Sequence, residues 1–133
     1  MLNKPFNFAS LLFISLITAG LAWVCSDGSS FINGPVNVTN GYAISIDGVN
    51  FSTDRTDLLT FTSDTTVVNL NVTNYQKGRV QVVVQDTLGS TLFSEQASAN
   101  RTVSDTLKGV LPESVSITLT NFSGSFSIEI RER

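Results

Sequence analysis

Any chemistry in this chain has to come from carboxylates, amides, hydroxyls and one thiol, because its 133 residues include no histidine and a single cysteine, Cys25. The missing imidazole removes the commonest general base and metal ligand, and with it every Ser-His or Cys-His nucleophile pair. One cysteine forms no intrachain disulfide, and without histidine it cannot fill a tetrahedral zinc site. Among carboxylates, Asp54 and Asp57 stand together with Asp64 nearby, but their spacing matches no EF-hand loop and reads as solvated turn and strand-end residues. The sequence therefore predicts a non-enzyme with no catalytic set, no metal and no cofactor.

The amides are more suggestive. Five Asn-x-Ser/Thr sequons occur, at Asn37, Asn50, Asn71, Asn100 and Asn121, and each is a candidate glycosylation site in a host that glycosylates. Two aromatics, Tyr75 and Phe122, fall in stretches that read as turns, where a ring can dock on a partner or stack on a sugar. Charge is sparse: 8 basic and 11 acidic side chains give a net −3, and charged residues make up 14% of the chain. Without a basic cluster to neutralise a phosphate backbone, nucleic acid is excluded as a partner. A hydroxyl- and amide-rich surface suits an extracytoplasmic setting, with a glycan or a protein as the admissible partner.

These groups are preceded by an apolar run, residues 6–24, which contains no charge and follows Lys4. At 1.5 Å per residue it is about 28 Å long as a helix, close to a bilayer's hydrocarbon thickness. Residues 1–25 thus read as a signal peptide or an N-terminal transmembrane anchor, with Lys4 on the cytoplasmic side and Trp23 at the opposite interface. The Ala22-Trp23-Val24-Cys25 tetrad, followed by Ser26-Asp27-Gly28-Ser29-Ser30, resembles the signal end of bacterial lipoproteins, differing from it at Trp23 and Val24. That resemblance implies a lipidated Cys25 followed by a tether, placed at residues 26–34.

The remainder, residues 35–133, alternates with the period of half-buried strands. Val68, Leu70 and Val72 share one parity, as do Val80, Val82 and Val84, then Val115, Ile117 and Leu119, then Phe126, Ile128 and Ile130. Earlier strands are read from Val36 and Val38, from Tyr42, Ile44 and Ile46, and from the 58–61 segment. Hairpin turns are predicted at Asn40-Gly41, Asp47-Gly48, Lys77-Gly78, Asp86 to Gly89, and Asn121 to Gly124. An alternating Val strand, an Asp-x-x-Gly turn and a final Ser-Gly-aromatic-x-Ile-x-Ile strand resemble bacterial envelope β-sandwiches, including jelly-roll and Ig-like accessory modules. The expected fold is an all-β antiparallel sandwich of that kind, preceded by a hydrophobic helix.

The functional expectation is a non-catalytic, membrane-anchored extracytoplasmic sandwich, a structural or accessory subunit of an envelope or membrane complex. It would be held by residues 6–24 or by a lipidated Cys25 and would contact protein partners. The alternatives are a secreted carbohydrate- or surface-binding module and a subunit of a self-assembling extracellular filament.

Overall fold

The computed structural model describes residues 28–133; the expected N-terminal helix and Cys25 lie outside them. The described chain is six strands: β1 (Ser29–Val38), β2 (Gly41–Leu58), β3 (Thr65–Gln85), β4 (Thr91–Ala97), β5 (Arg101–Lys108) and β6 (Ser114–Glu132). All pairings are antiparallel, in the order β1-β2-β6-β3-β4, with β5 also on β3. β1 begins at Ser29, inside the stretch expected as a tether.

Three of these strands are too long for one layer of a small domain, and each bends once. Register shifts fall between Gly48 and Thr53 on β2 and between Thr73 and Arg79 on β3, both opposite residues 119–125 of β6. On the near side of this line, β5 pairs with Thr65–Val72 of β3; on the far side, β4 pairs with Val80–Gln85. The sheet thus folds into two layers. Layer one runs β1, β2, β6, β3, β5, and layer two runs β2, β6, β3, β4. We call the fold line the corner end and the opposite end, where the two layers separate, the open end.

The alternating apolar residues read from the sequence make the core. Ile44 and Ile46, the Val68, Leu70 and Val72 triplet and Phe126, Ile128 and Ile130 face inward from layer one. Val80, Val82 and Val84 with Val115, Ile117 and Leu119 face them from layer two. Every one is essentially inaccessible, which a single half-exposed sheet could not achieve; each layer is the other's cover. At ~25 cal/mol per Å2 of apolar area, a fully buried Val or Ile contributes on the order of 2 kcal/mol.

Two predicted turns hold: Asn40-Gly41 joins β1 to β2 with Asn40 at φ +61°, and Asp86 to Gly89 joins β3 to β4. In the latter, the Asp86 carboxylate accepts from the amides of Leu88 and Ser90 at 2.9 and 2.8 Å. Three other predicted hairpins are absent. Asp47-Gly48, Lys77-Gly78 and Asn121 to Gly124 lie inside β2, β3 and β6, at the fold line. Each long strand crosses the corner on one asparagine in the left-handed region: Asn50 (φ +52°), Asn74 (+51°) and Asn121 (+48°). Asparagine and glycine tolerate positive φ whether the chain reverses or merely bulges, so the residue types alone cannot distinguish a turn from a corner. The 58–61 segment is likewise not a continuous strand, since β2 ends at Leu58, although Leu59 and Phe61 are buried and cap the open end of the core.

Candidate interaction surfaces

A two-layer sheet has four free edges, and they differ in chemistry. β5 carries Arg101, Asp105 and Lys108; β4 carries Glu95; the layer-two half of β2 carries Asp54, Arg55 and Asp57. Such charges discourage pairing with a foreign strand. β1 carries none, and all ten of its residues are exposed. Opposite neighbours in an antiparallel pair share a face, so Phe31, Val36 and Val38, which pair with Asp47, Ala43 and Gly41, lie on the outer face of layer one. Their exposures are 70%, 59% and 58%. Pro35, at the register shift between Asn33 and Val36, is a residue confined to edge strands and bulges because it cannot donate to a ladder.

β1 is nonetheless firmly placed at the open end. The Asn37 side-chain amide donates to the Leu58 carbonyl at 2.7 Å, tying β1 to the layer-two half of β2. The Asn40 carboxamide accepts from the Thr62 amide at 2.7 Å and donates to the Thr62 hydroxyl at 3.0 Å, and the Asn40 backbone amide donates to the Thr60 carbonyl at 2.8 Å.

Beside it lies a polar clasp between layers. The Tyr42 hydroxyl of layer one donates to Asp57 Oδ2 of layer two at 2.6 Å, and Arg55, on the same face of β2 as Asp57, donates to both carboxylate oxygens at 3.0 and 2.9 Å. Burial opposes ionisation of Asp57, but hydrogen bonds from Arg55 and Tyr42, with the guanidinium charge, outweigh it and hold its carboxyl below the usual carboxylate range. Burial, then the hydrogen bond to Asp57 and its negative charge, push the Tyr42 phenol well above its ordinary value, against the opposing pull of Arg55. The arrangement is a structural ion pair in which the Tyr42 hydroxyl and Arg55 Nε and Nη2 all donate to the one carboxylate. Asp54 and Asp64 do not join it. Asp54 accepts from Thr118 at 3.2 Å and Asp64 from the neighbouring Thr65 hydroxyl, and no cluster of carboxylates able to hold a metal occurs among the described residues.

The outer face of layer one is a shallow depression of about 300 Å3 floored by small side chains, because Ala43, Ser45 and Ser127 sit among longer neighbours. Asn69, Asn71, Thr102, Ser104 and Glu129 line it. The Thr102 and Ser104 hydroxyls donate across the strand pair to Asn71 and Asn69 at 2.8 and 2.7 Å, aligning the amides in cross-strand rows.

The structure places all five sequon asparagines on the surface, with Asn50 and Asn121 together at the corner. Asn50 and Asn121 are corner residues whose backbone amides donate to Ser123 and Ser52 at 2.9 and 2.8 Å, and their positive φ, which asparagine tolerates, accounts for their identity. Asn100 accepts from the Tyr75 amide at 2.9 Å, while Asn37 and Asn71 make the bonds given above. The partner contact expected of Phe122 is corrected: its ring is fully buried under the corner. Tyr75 is half-buried and packs on Phe122 with ring centroids 6.5 Å apart at 46°, its hydroxyl donating to the Gly78 carbonyl at 2.9 Å. Both rings close the core because the chain folds over at 73–79 and 119–125 instead of looping into solvent.

Sequence reasoning missed the β1 edge and the Tyr42-Asp57-Arg55 clasp. The first had a readable signal, since Ser29 to Ile46 contains no charged residue. The second had none, because its partners meet only when β2 is bent.

No protein family and no characterised protein sequence matches the chain. Among solved structures, one similar chain is described with Bacillus endospore appendages that form a family of disulfide-linked pili, at 14% identity and TM-score 0.45, covering 80% of this chain and 89% of that one. Another is the C-terminal CBM6 of LamC, a marine laminarinase from Zobellia galactanivorans, at 17% identity and TM-score 0.34, with the same shares covered.

Proposed function

We propose that this chain is a non-catalytic, membrane-anchored extracytoplasmic module that docks a neighbouring protein by strand addition at β1. The observation that carries the reading is the contrast among edges: three are charged, and the fourth is a ten-residue, uncharged, exposed strand that includes Val36 and Val38. Strand addition uses the free N–H and C=O groups of such an edge for affinity and alternate side chains for specificity. A non-catalytic role is supported by the absence of histidine and by the dispersal of the acidic residues into hydrogen-bonded structural positions. Anchoring is supported by the uncharged apolar run at residues 6–24. The test is sedimentation of the native full chain, extracted in mild detergent, against its Val36→Lys and Val38→Lys variants. The reading expects a native particle larger than the 14.3 kDa chain that collapses to a monomer in the variants. A native monomer, or an assembly indifferent to both lysines, contradicts it.

A second reading has its own observation. The amide- and hydroxyl-lined depression on layer one offers convergent polar groups of the kind that fix a sugar's hydroxyls. It contains no aromatic platform, which is why we place it second. Titration calorimetry with β-glucan and other envelope polysaccharides, repeated on Asn71→Ala, tests it; binding lost in the variant would promote this reading over the first.

A further inference from the structure

We infer that the partner added at β1 is a second copy of this chain, its own β1 paired antiparallel over the full strand across a two-fold axis, an inference that rests on the reading of β1 as a strand-addition edge.

A two-fold pairing sets each residue of β1 against another residue of the same strand, so the strand must complement itself in face as well as in chemistry. A regular strand of ten residues cannot. Full-length pairing would set its first residue against its tenth, an odd position against an even one, and every pair would join opposite faces of the sheet. β1 has ten residues but is not regular. Its ladder pairs Asn33 with Ser45 and next Val36 with Ala43, three steps along β1 for two along β2. The extra residue reverses the alternation, so that the outer face carries Ser29, Phe31 and Asn33 before the shift and Val36 and Val38 after it. Ser29 and Val38 therefore share a face, and so do the pairs inside them. The irregularity also falls at the middle of the strand, where the axis would pass, so both copies carry it at the same place and neither half runs out of step.

In this register like meets like. On the outer face Phe31 opposes Val36 of the second copy, two side chains that are 70% and 59% exposed in the single chain. On the inner face Ile32 opposes Pro35 and Ser30 opposes Asn37. Ile32 needs such a cover: it shares a face with the fully buried Ile46 yet is 42% exposed, because β1 belongs to layer one alone. Sliding the register by two residues, the smallest step that matches faces again, shortens the ladder and sets Val36 against Asn33 or Ser29. The β5 edge fails the same test twice. Its eight residues pair with β3 without any shift, so full self-pairing would join opposite faces, and it would set Arg101 against Lys108.

The two five-stranded first layers would then form one continuous sheet. For two copies anchored in one bilayer, the axis stands along the membrane normal, and at about 3.3 Å per residue the two Ser29 ends lie about 30 Å apart.

The experiment places a photoreactive probe on this edge in the full chain, as Phe31→p-benzoylphenylalanine, co-expressed in the source cells with an affinity-tagged copy that lacks the probe. Cross-links formed on irradiation of the membranes are mapped by mass spectrometry. We expect an adduct between the two copies joined beside Val36 of the tagged one, and the reciprocal probe at Val36 to join beside Phe31. Val36→Lys in the tagged copy should lower the yield of the first adduct roughly tenfold. An adduct between copies joined anywhere else overturns the pairing. Capture of a different polypeptide and none of the tagged copy overturns self-pairing while leaving β1 as a strand-addition edge. A probe that captures only Asp47 of its own chain, its outer-face neighbour on β2, is active on an empty edge, and overturns both.

Discussion

The two ends of this sandwich are closed by different means. At the corner, three continuous strands cross from layer to layer, and the closure is made of backbone: left-handed Asn50, Asn74 and Asn121, with Gly78 (φ +93°) and Gly124 (φ +151°) where β3 and β6 approach most closely. At the open end no strand crosses, and the closure is made chiefly of side chains, Asn37 on Leu58, Asn40 on Thr62, and Tyr42 with Arg55 on Asp57, beside the backbone bond from Asn40 to Thr60. A backbone closure is sensitive to sterics and indifferent to pH. A side-chain closure is the reverse, and the two can be broken separately.

The largest effect is expected at the corner. A β-carbon on Gly78 would run into the carbonyl of Asn121 and the Cα of Phe122, both backbone atoms that cannot step aside, in a conformation already disfavoured for alanine. Gly78→Ala should cost about 3 kcal/mol in urea unfolding. Gly89→Ala is the control, since Gly89 also has positive φ (+76°) but meets nothing within 4 Å; it should cost only about 1 kcal/mol. Equal costs would mean that the corner's tight approach contributes nothing.

The open end should yield a smaller effect, and a pH-dependent one. Asp57 is held below its ordinary 3.8, so the stability it contributes is present above that value and lost as pH falls through its lower folded-state value. Tyr42 is held above its ordinary 10.0, so its contribution is intact below pH 10 and lost as pH rises beyond it. Thermal melts across pH should therefore show Asp57→Asn flattening the acid limb and Tyr42→Phe the alkaline limb. Tyr42→Phe should cost about 1 kcal/mol at neutral pH. A Gly78→Ala protein should keep both limbs.

The smallest effect concerns a core position near the open end. Thr66 is fully buried, and its hydroxyl finds no partner among the described residues. Thr66→Val removes that unpaired group while keeping the shape, so it should be neutral or stabilising by up to about 1 kcal/mol in the same unfolding assay. A clear loss of stability would show that the hydroxyl is bonded in solution.

The same contrast explains what the sequence disclosed. Inward positions such as Val82, Ile117 and Ile128 were legible because a strand's period is two and one face is dry, a constraint that acts on each residue locally. The corner was misread as hairpins because Asn121 to Gly124 and Lys77-Gly78 carry turn chemistry wherever the chain needs positive φ, and only the pairing of β6 with both β2 and β3 on either side shows that the strand continues. Phe122 followed that error, placed in a solvent loop when it lies beneath the fold. The clasp was invisible because Tyr42 and Asp57 are 15 residues apart on one strand and meet only across its bend. The β1 edge could be read from missing charge, but its exposure depends on which strand ends the sheet, a property of topology.

The most direct test of the account is residue-resolved hydrogen exchange on β1 in the native, detergent-extracted assembly, compared with the Val38→Lys monomer. Strand addition predicts that the alternate amides of Ser29–Val38 facing away from β2 are protected in the assembly and exchange rapidly in the monomer, while β5 amides at the charged edge exchange alike in both. Outward β1 amides that exchange rapidly in the native assembly would mean that the edge is free, and would contradict the account.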